Sequence, residues 1–402
     1  MSGKKSILFV GEGVTLAHVS RPLVLAQSLD PNEFDIYFAC DPRYQALLKV
    51  APNIRYCPIR SIPSENFVRA ANYGWFDWDK KDIESYIQQE FELFEKIRPS
   101  LVVGDYRMTL PISAEISGIQ SAALTNFHWS PYSLMHVETP RFPLRPIATR
   151  IKSRLGRIFK PAAESTNTAI FNSVRERYGL SILQDFHQLV TMGDYTLYVE
   201  PPGFIDAELL PSNHIFLGPI LWSPSVSKPA WWQTWDSARP LIYITLGSSG
   251  AAWQLPAIIR SLEEFSATIV VATAGRFQLD VYENVYSADY LPGVELCGLA
   301  SVVVCNGGSP TGYQALSEGA PIVGLWSNVD QFYTMTTIER AGAGIACSAA
   351  DFDPAAFKRA ISSILEDPKY SERSAELAQL FKSYDARERF RQFAHDVPAL
   401  AH

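Results

Sequence analysis

The chain has 402 residues, 47% of them hydrophobic and 19% charged, which is enough for two or three domains with large buried cores. Its formal net charge of -7 argues against a dedicated nucleic-acid-binding protein, which usually carries a basic domain. The five cysteines lack the spacing of metal ligands and are odd in number, so they argue against a zinc site and a disulfide framework.

Targeting signals are not evident. The first apolar run, Ile7–Val10, is too short for the core of a signal peptide. No apolar stretch approaches the roughly 18 residues of a membrane-spanning helix. The composition therefore predicts a cytoplasmic α/β protein.

Short apolar runs alternate with helical patterns along the first half of the chain. A glycine-bearing loop follows the first strand, and an amphipathic helix is predicted from His18 to Leu29. This alternation is typical of a parallel sheet with helices on its faces. The predicted strands of this half are Ile7–Val10, Phe34–Ala39, Leu101–Val103 and Ala122–Thr125.

A proline-rich segment without periodicity, residues 220–239, interrupts the alternation and is predicted to be an interdomain linker. The pattern then resumes, so we expect a first Rossmann-like domain at 1–219 and a second at 240–380. Helices are predicted at Pro354–Glu366 and at about Tyr370–His395; residues 381–402 would pack back on the first domain. The predicted strands of the second half are Leu241–Thr245, Thr268–Ala272 and Ser301–Cys305.

Residues 302–331 carry the most informative pattern. A buried strand ends at Cys305, and small residues follow it, so the backbone can approach a ligand closely. Ser309 suits the cap of the next helix and Pro310 its first position. A helix start after a parallel strand exposes free N–H groups and a positive dipole end, which predicts a phosphate or diphosphate site. A well-capped helix without a ligand remains the alternative.

The same stretch resembles the donor-binding motif of GT-B glycosyltransferases of the UDP-glycosyltransferase superfamily. The family has His-x-Gly-x-x-Thr, Glu-Ala-Leu, Gly-x-Pro and Asp-Gln. This chain has Asn306-x-Gly308-x-x-Thr311, Gln314-Ala315-Leu316, Gly319-Ala320-Pro321 and Asp330-Gln331 at matching spacing. Asn306 replaces the usual His and Gln314 the usual Glu, so two ionisable groups of the family motif are neutral here.

The resemblance implies an α/β protein of the GT-B class, in which two Rossmann-like domains face each other across a cleft. It implies that the second domain binds a nucleotide-sugar donor and that no bound metal or other cofactor is needed. The residues that would contact the diphosphate, the sugar or the base are Gly247, Ser248, Ser249, Tyr290, Leu291, Asn306, Gly307, Gly308, Ser309, Thr311, Gln314, Asp330 and Gln331.

His18 is the candidate catalytic base. It lies on the first loop, in Ala17-His18-Val19-Ser20-Arg21-Pro22, which resembles the family's Gly-His segment. Inverting transfer needs a group that accepts the proton of the attacking hydroxyl, and a neutral imidazole can do so near pH 7. Asp105 follows the buried run Leu101–Val103, and the resemblance implies that it hydrogen-bonds His18 and fixes its tautomer.

Aromatic residues in two loops of the first domain are candidate acceptor contacts. Core packing is the alternative for all of them. His128 is also a second candidate base. The candidates are Trp75, Trp78, Phe127, His128 and Trp129.

Three weaker signals remain. Gly11 and Gly13 after a strand resemble part of a dinucleotide fingerprint, but the third glycine is replaced by Leu16. Asp77-Trp78-Asp79 has the form of a metal-binding DxD but follows no strand. Residues 141–160 hold seven Lys and Arg and no acid, with apolar residues at helical spacing; this predicts either peripheral contact with an anionic membrane or a surface helix.

The sequence thus predicts an inverting glycosyltransferase that moves a sugar from a UDP- or dTDP-sugar to a hydroxyl of a small hydrophobic acceptor. Two alternatives stay open, a hydrolysing nucleotide-sugar 2-epimerase and a non-catalytic GT-B partner of another transferase. The acceptor, the sugar and the oligomeric state are not defined by the sequence.

Overall fold

A computed structural model describes residues 4–72, 78–137, 164–205, 207, 209–232, 234–279 and 284–398. The described residues form two compact units. The first unit comprises those up to 137, residues 164–220 and those from 384 onward; the second comprises those between 221 and 383. Residues 221–239, predicted to be a linker, thus belong to the second unit, where Ser223 Oγ accepts the Gly293 N–H at 2.8 Å.

The first unit contains a seven-stranded, wholly parallel sheet of order β3-β2-β1-β4-β5-β6-β7. Its central strands are buried on both faces, which explains their continuous apolar runs. The strands are β1 (Lys5–Gly11), β2 (Phe34–Cys40), β3 (Arg55–Pro58), β4 (Leu101–Asp105), β5 (Gln120–Thr125), β6 (Tyr195–Tyr198) and β7 (His214–Phe216).

Helices connect these strands, and one from the far end of the chain joins them. The connecting helices are α1 (Leu16–Ala26), α2 (Gln45–Leu48), α3 (Ser64–Asn72), α4 (Lys80–Ile97), α5 (Leu110–Ser117), α6 (164–177) and α7 (Phe186–Val190). The late helix, which follows the whole second unit in the chain, spans Ala386–Asp396.

The second unit contains a six-stranded parallel sheet of order β10-β9-β8-β11-β12-β13. Its strands are β8 (Leu241–Thr245), β9 (Thr268–Ala272), β10 (Val285–Ala288), β11 (Val302–Cys305), β12 (Ile322–Trp326) and β13 (Gly344–Ser348). Its helices are α8 (Leu255–Leu262), α9 (Gly293–Leu299), α10 (Ser309–Glu318), α11 (Val329–Arg340), α12 (Pro354–Glu366) and α13 (Lys369–Lys382); the late helix Ala386–Asp396 is α14.

The predicted single helix at Tyr370–His395 is wrong, because α13 ends at Lys382 and α14 begins at Ala386. Asp385 provides the physical reason. Its carboxylate accepts the backbone N–H groups of Arg387 and Glu388, so it caps a new helix instead of continuing the old one. The break also marks the boundary between the two units.

Both sheets reverse their strand order at one point, between β1 and β4 in the first unit and between β8 and β11 in the second. In register, Gly11 lies opposite Asp105, and Thr245 lies opposite Cys305. Parallel α/β sheets bind ligands outside the carboxyl ends of the strands at such reversals. The fold therefore marks one candidate site in each unit. No helix among the described residues is long and apolar enough to cross a membrane.

Candidate active site

His18 lies in the first turn of α1, directly beyond the carboxyl end of β1. Its Nδ1 is 2.8 Å from Oδ1 of Asp105, and the Asp105 side chain is 1% exposed whereas that of His18 is 19% exposed. The Nδ1–H tautomer donates to this carboxylate and leaves Nε2 as a proton acceptor. The predicted pair is thus brought together by the strand reversal.

Gly11 allows the close approach of α1 to β1 that this geometry requires. A Cβ on Gly11 would lie 2.8 Å from Val19 Cα and 2.9 Å from the His18 carbonyl oxygen. Backbone atoms cannot yield as a flexible side chain can, so any larger residue would displace the helix start and the imidazole with it.

Arg21, which was not among the predicted site residues, contacts the same carboxylate. Its Nε donates to Asp105 Oδ2 at 2.7 Å and its Nη2 donates to Asp105 Oδ1 at 2.8 Å. Its Nη1 donates to Asn126 Oδ1 at 3.0 Å, beyond the end of β5. This two-pronged contact fixes the direction of both Asp105 carboxylate oxygens. The available signal was the three-residue spacing from His18, which puts both on one helix face.

Tyr106 covers one face of the imidazole. Its ring is stacked on that of His18, with 4.7 Å between the ring centroids and 17° between the planes. Its backbone has φ of 59°, in the left-handed region that a tyrosine adopts only at a cost. The contact places an aromatic wall beside the candidate base.

The next residue, Arg107, anchors this turn in a second buried cluster. Its Nη1 donates to Glu12 at 3.1 Å and its Nε donates to Glu90 at 2.6 Å, with all three side chains fully buried. Burial raises the pKa of Glu12, although Arg107 opposes the shift. Tyr106 is therefore held between two buried ionic clusters, one on each side along the chain.

In the second unit, the loops after β8 and β11 lie side by side. Asn306 Nδ2 donates to Ser249 Oγ at 3.1 Å, and Asn306 Oδ1 accepts the Gly308 N–H at 3.2 Å. Asn306 thus ties the two loops together through a side chain that carries no charge. Gly308, and not the predicted Ser309, is the cap residue of α10, one position earlier than expected.

Gly307 lets this loop turn tightly. Its φ is 77°, and a Cβ there would lie 2.8 Å from Met335 Cγ. The turn leaves Ser309 and Thr311 in the first turn of α10, so the helix start lies at the carboxyl edge of the sheet beside Gly247 to Gly250. This is the geometry that the sequence predicts for a diphosphate site.

The Asp330-Gln331 pair lies in the first turn of α11, which follows β12 on the same edge. Gln331 is buried, and its Oε1 accepts from the backbone N–H of Ser327 at 2.8 Å. This fixes the orientation of the amide, whose Nε2 is the end that can donate to a ligand. Asp330 is half-buried in the first turn.

Four other predicted donor contacts have distinct surroundings. Ser248 is exposed, and Tyr290 is half-buried at the end of β10. Leu291 is 2% exposed, so it belongs to the packed interior. The Gln314 amide donates to the carbonyl of Trp222, a contact within the second unit that no sequence pattern indicates.

The candidate acceptor residues fall into three groups: some lie outside the described residues, one lies in the core, and three lie in the turn after β5. Trp75 and residues 141–160 lie outside the described residues. Trp78 is 4% exposed and packs against Tyr86 and Phe171, as the core-packing alternative predicted. Phe127 and His128 are buried, and Trp129 is half-buried, in one turn beyond β5.

The weaker metal signal has a structural explanation. Asp79 caps α4 by accepting the Asp82 N–H at 2.8 Å, and Asp77 lies outside the described residues. Among the residues with a described placement, no group of three or more His, Cys, Asp or Glu side chains could hold a metal ion.

The chain is similar to known glycosyltransferases. Residues 257–385 match the family model described as Erythromycin biosynthesis protein CIII-like, C-terminal domain. A PGL/p-HBAD biosynthesis glycosyltransferase of Mycobacterium tuberculosis is 40% identical over 381 residues, covering 94% of this chain and 89% of the relative. A PGL/p-HBAD biosynthesis rhamnosyltransferase of Mycobacterium bovis is 40% identical over 386 residues, covering 94% and 84%.

A solved structure of similar fold is the spinosyn rhamnosyltransferase SpnG complexed with thymidine diphosphate. Its TM-score is 0.69 at 17% identity, and the match covers 98% of this chain and 100% of that one. Two parallel Rossmann-like units with the late helix on the first define the GT-B class of fold. The chain belongs to the bacterial glycosyltransferases of the UDP-glycosyltransferase superfamily, which confirms the predicted fold class and enzyme class.

Proposed function

We propose that this glycosyltransferase inverts the anomeric centre while it moves a sugar from a UDP- or dTDP-sugar to a hydroxyl of a small hydrophobic acceptor. The observation that carries the proposal is the 2.8 Å contact between His18 Nδ1 and the buried Asp105 carboxylate. It leaves Nε2 free to accept a proton, as a general base must. The relatives named for PGL/p-HBAD biosynthesis, and the SpnG structure with thymidine diphosphate, support the substrate classes.

In this reaction the acceptor hydroxyl gives its proton to His18 Nε2 while its oxygen attacks the anomeric carbon. The bond from that carbon to the diphosphate oxygen breaks with its electron pair, and the nucleoside diphosphate leaves. Asp105 stabilises the imidazolium that forms, and Arg21 keeps Asp105 in place. The start of α10 and the Asn306 amide stabilise the departing negative charge.

The acceptor would meet the aromatic residues beside the base. Tyr106 and Trp129 are partly exposed beyond β4 and β5, whereas Phe127 is buried against Tyr198 and Phe216. Aromatic walls with a few polar groups suit an apolar acceptor that presents one hydroxyl.

The test is a transfer assay read by mass spectrometry, with UDP- and dTDP-sugars and pooled phenolic, polyketide and lipid acceptors. We expect a glycosylated product, and a loss of turnover of about 10²–10⁴-fold in His18→Ala. His395→Ala is the matched control, because His395 lies on α14 beside Glu33, before the amino end of β2. Equal turnover in His18→Ala and His395→Ala would exclude His18 as the base.

We also propose that residues 141–160 bring the enzyme to anionic membranes, where a lipid-like acceptor would lie. The seven basic residues and the absence of acids in this segment support the proposal. We expect cosedimentation with anionic vesicles and release by salt. Equal cosedimentation with neutral vesicles would contradict it.

A further inference from the structure

Arg276 is a cation attached to the loop that follows β8. Its Nη1 donates to the carbonyl oxygen of Gly250 at 2.7 Å and to that of Gly247 at 3.3 Å. Both bonds use one nitrogen, so Nε and Nη2 make no hydrogen bond within the described part of the chain. Arg276 is exposed, so a ligand can reach these donors.

No carboxylate among the described residues pairs with Arg276, unlike Arg21, Arg43 and Arg107, which each contact an acid. Asp289, on the neighbouring segment after β10, is instead bound by the Thr273 hydroxyl at 2.9 Å. Partial burial lowers the pKa of Arg276, as expected for a guanidinium that has lost water without gaining a counter-charge.

The position of Arg276 connects it to the diphosphate site. It follows β9, and β9, β8 and β11 are neighbours in the sheet with their carboxyl ends at one edge. The loop after β8 contacts Arg276 through two carbonyls and contacts Asn306 through Ser249. The loop after β8 therefore contacts both the Arg276 guanidinium and the neutral Asn306 amide.

We propose that Arg276 binds the diphosphate of the donor and supplies the positive charge that Asn306 lacks. The inference rests on the proposed function, since it assumes a nucleotide-sugar donor. A guanidinium can offer two parallel N–H groups to two phosphate oxygens, which an amide or an ammonium cannot do. Nε and Nη2 of Arg276 form such a pair, and Nη1 holds the group against the loop.

The test is calorimetric titration with uridine, UMP and UDP, and with the matching thymidine series. In Arg276→Gln we expect UDP or dTDP to bind about 10- to 100-fold more weakly, with nucleoside affinity unchanged. Arg276→Lys keeps the charge but loses the paired geometry, so its loss is smaller. Arg260→Gln, an exposed arginine on α8, is the matched control and is expected to bind like the parent.

The double variant Arg276→Gln with Asn306→His tests the compensation directly. We expect part of the lost affinity to return at pH 6, where an imidazolium can form, and less at pH 8. Unchanged UDP and dTDP affinity in Arg276→Gln would overturn the inference, as would equal losses for nucleoside and diphosphate. Failure of the parent protein to bind any nucleoside diphosphate would overturn the proposed function instead.

Discussion

Tyr106 combines an unfavourable backbone conformation with a side-chain contact to the candidate base. The residues on either side of it, Asp105 and Arg107, enter two different buried ionic clusters, and the chain between them must turn with φ of 59°. A non-glycine residue pays about 1–2 kcal/mol for this conformation. In this conformation the tyrosine ring is stacked on the imidazole of His18.

We therefore predict different outcomes for the backbone and the ring. Tyr106→Ala and Tyr106→Gly both remove the ring and are expected to lower kcat by about 10- to 100-fold, because the imidazole loses its support. Tyr106→Gly is expected to be about 1 kcal/mol more stable than Tyr106→Ala, because glycine adopts positive φ freely. Urea unfolding and steady-state kinetics measure the two effects.

Arg98 provides the matched control. It has φ of 50° at the end of α4 and is exposed, so Arg98→Gly should also be more stable than Arg98→Ala. Both Arg98 variants are expected to keep the parent kcat. A parent-like kcat in Tyr106→Ala would contradict a role for the ring in positioning His18.

At the residue scale, the sequence indicated the candidate base and its acid partner, but it did not indicate the side chains that hold them in place. His18 and Asp105 were predicted because each follows a buried strand and because their segments resemble those of the family, and the structure places Nδ1 of His18 2.8 Å from Oδ1 of Asp105. Arg21 lies on the same helix face as His18, so spacing could have found it. Tyr106 and Arg276 could not be found, because their contacts depend on a left-handed turn and on neighbouring loops brought together by the sheet.

At the scale of secondary-structure elements, α14 is the last helix described in the chain, yet it belongs to the first unit. Phe390 is fully buried, with its ring centroid 5.5 Å from that of Phe9 in β1, and Phe393 packs against Tyr195 in β6. Lys5 Nζ donates to the carbonyls of Ala394, His395 and Val397 near the helix end. The helix thus covers strands on both sides of the strand reversal.

We predict that Phe390→Ala destabilises the first unit by about 3–5 kcal/mol, since it removes a large buried ring. Hydrogen exchange is expected to rise in β1 and β6, with little change in β8 to β13. Gln392→Ala, an exposed change on the same helix, should alter stability by less than about 0.5 kcal/mol. Uniform loss of protection in both units after Phe390→Ala would contradict the assignment of α14 to the first unit.

Most long buried strands were predictable from their apolar runs, but short ones were not. β3 has only four residues and exposed ends, and β13 is a half-buried edge strand rich in small residues. Such strands depend on pairing with a neighbour and carry little local signal. The division of the final helical region at Asp385 was readable as a capping residue, but the helical periodicity on both sides hid it.

Across the whole molecule, all five cysteines are free and have thiols whose pKa is raised by burial. Burial raises the pKa of Cys347 to about 11 and those of Cys40 and Cys305 to about 12. In the unfolded chain these thiols ionise near pH 8.5. Between these values the unfolded state binds fewer protons than the native state.

We therefore predict that the free energy of unfolding falls as pH rises above about 8.5, by up to about 1.4 kcal/mol per pH unit for each buried thiol. The loss continues through pH 11 for Cys347 and to about pH 12 for Cys40 and Cys305. Urea unfolding of the parent and of Cys305→Ala between pH 8 and pH 10 measures the slope. Cys305→Ala is expected to reduce it by one thiol's share, and an identical slope would contradict the prediction.

The position of α14 in the chain also affects how the protein is made. A ribosome delivers residues 221–383, which form the second unit, before it delivers α14. Translation proceeds at about 5–20 residues per second, so the second unit can fold while the chain is being made. At that stage the first unit still lacks the helix that covers β1. We expect nascent chains that end before Ala386 to expose the apolar surface around Phe9 and to be chaperone clients until α14 is released.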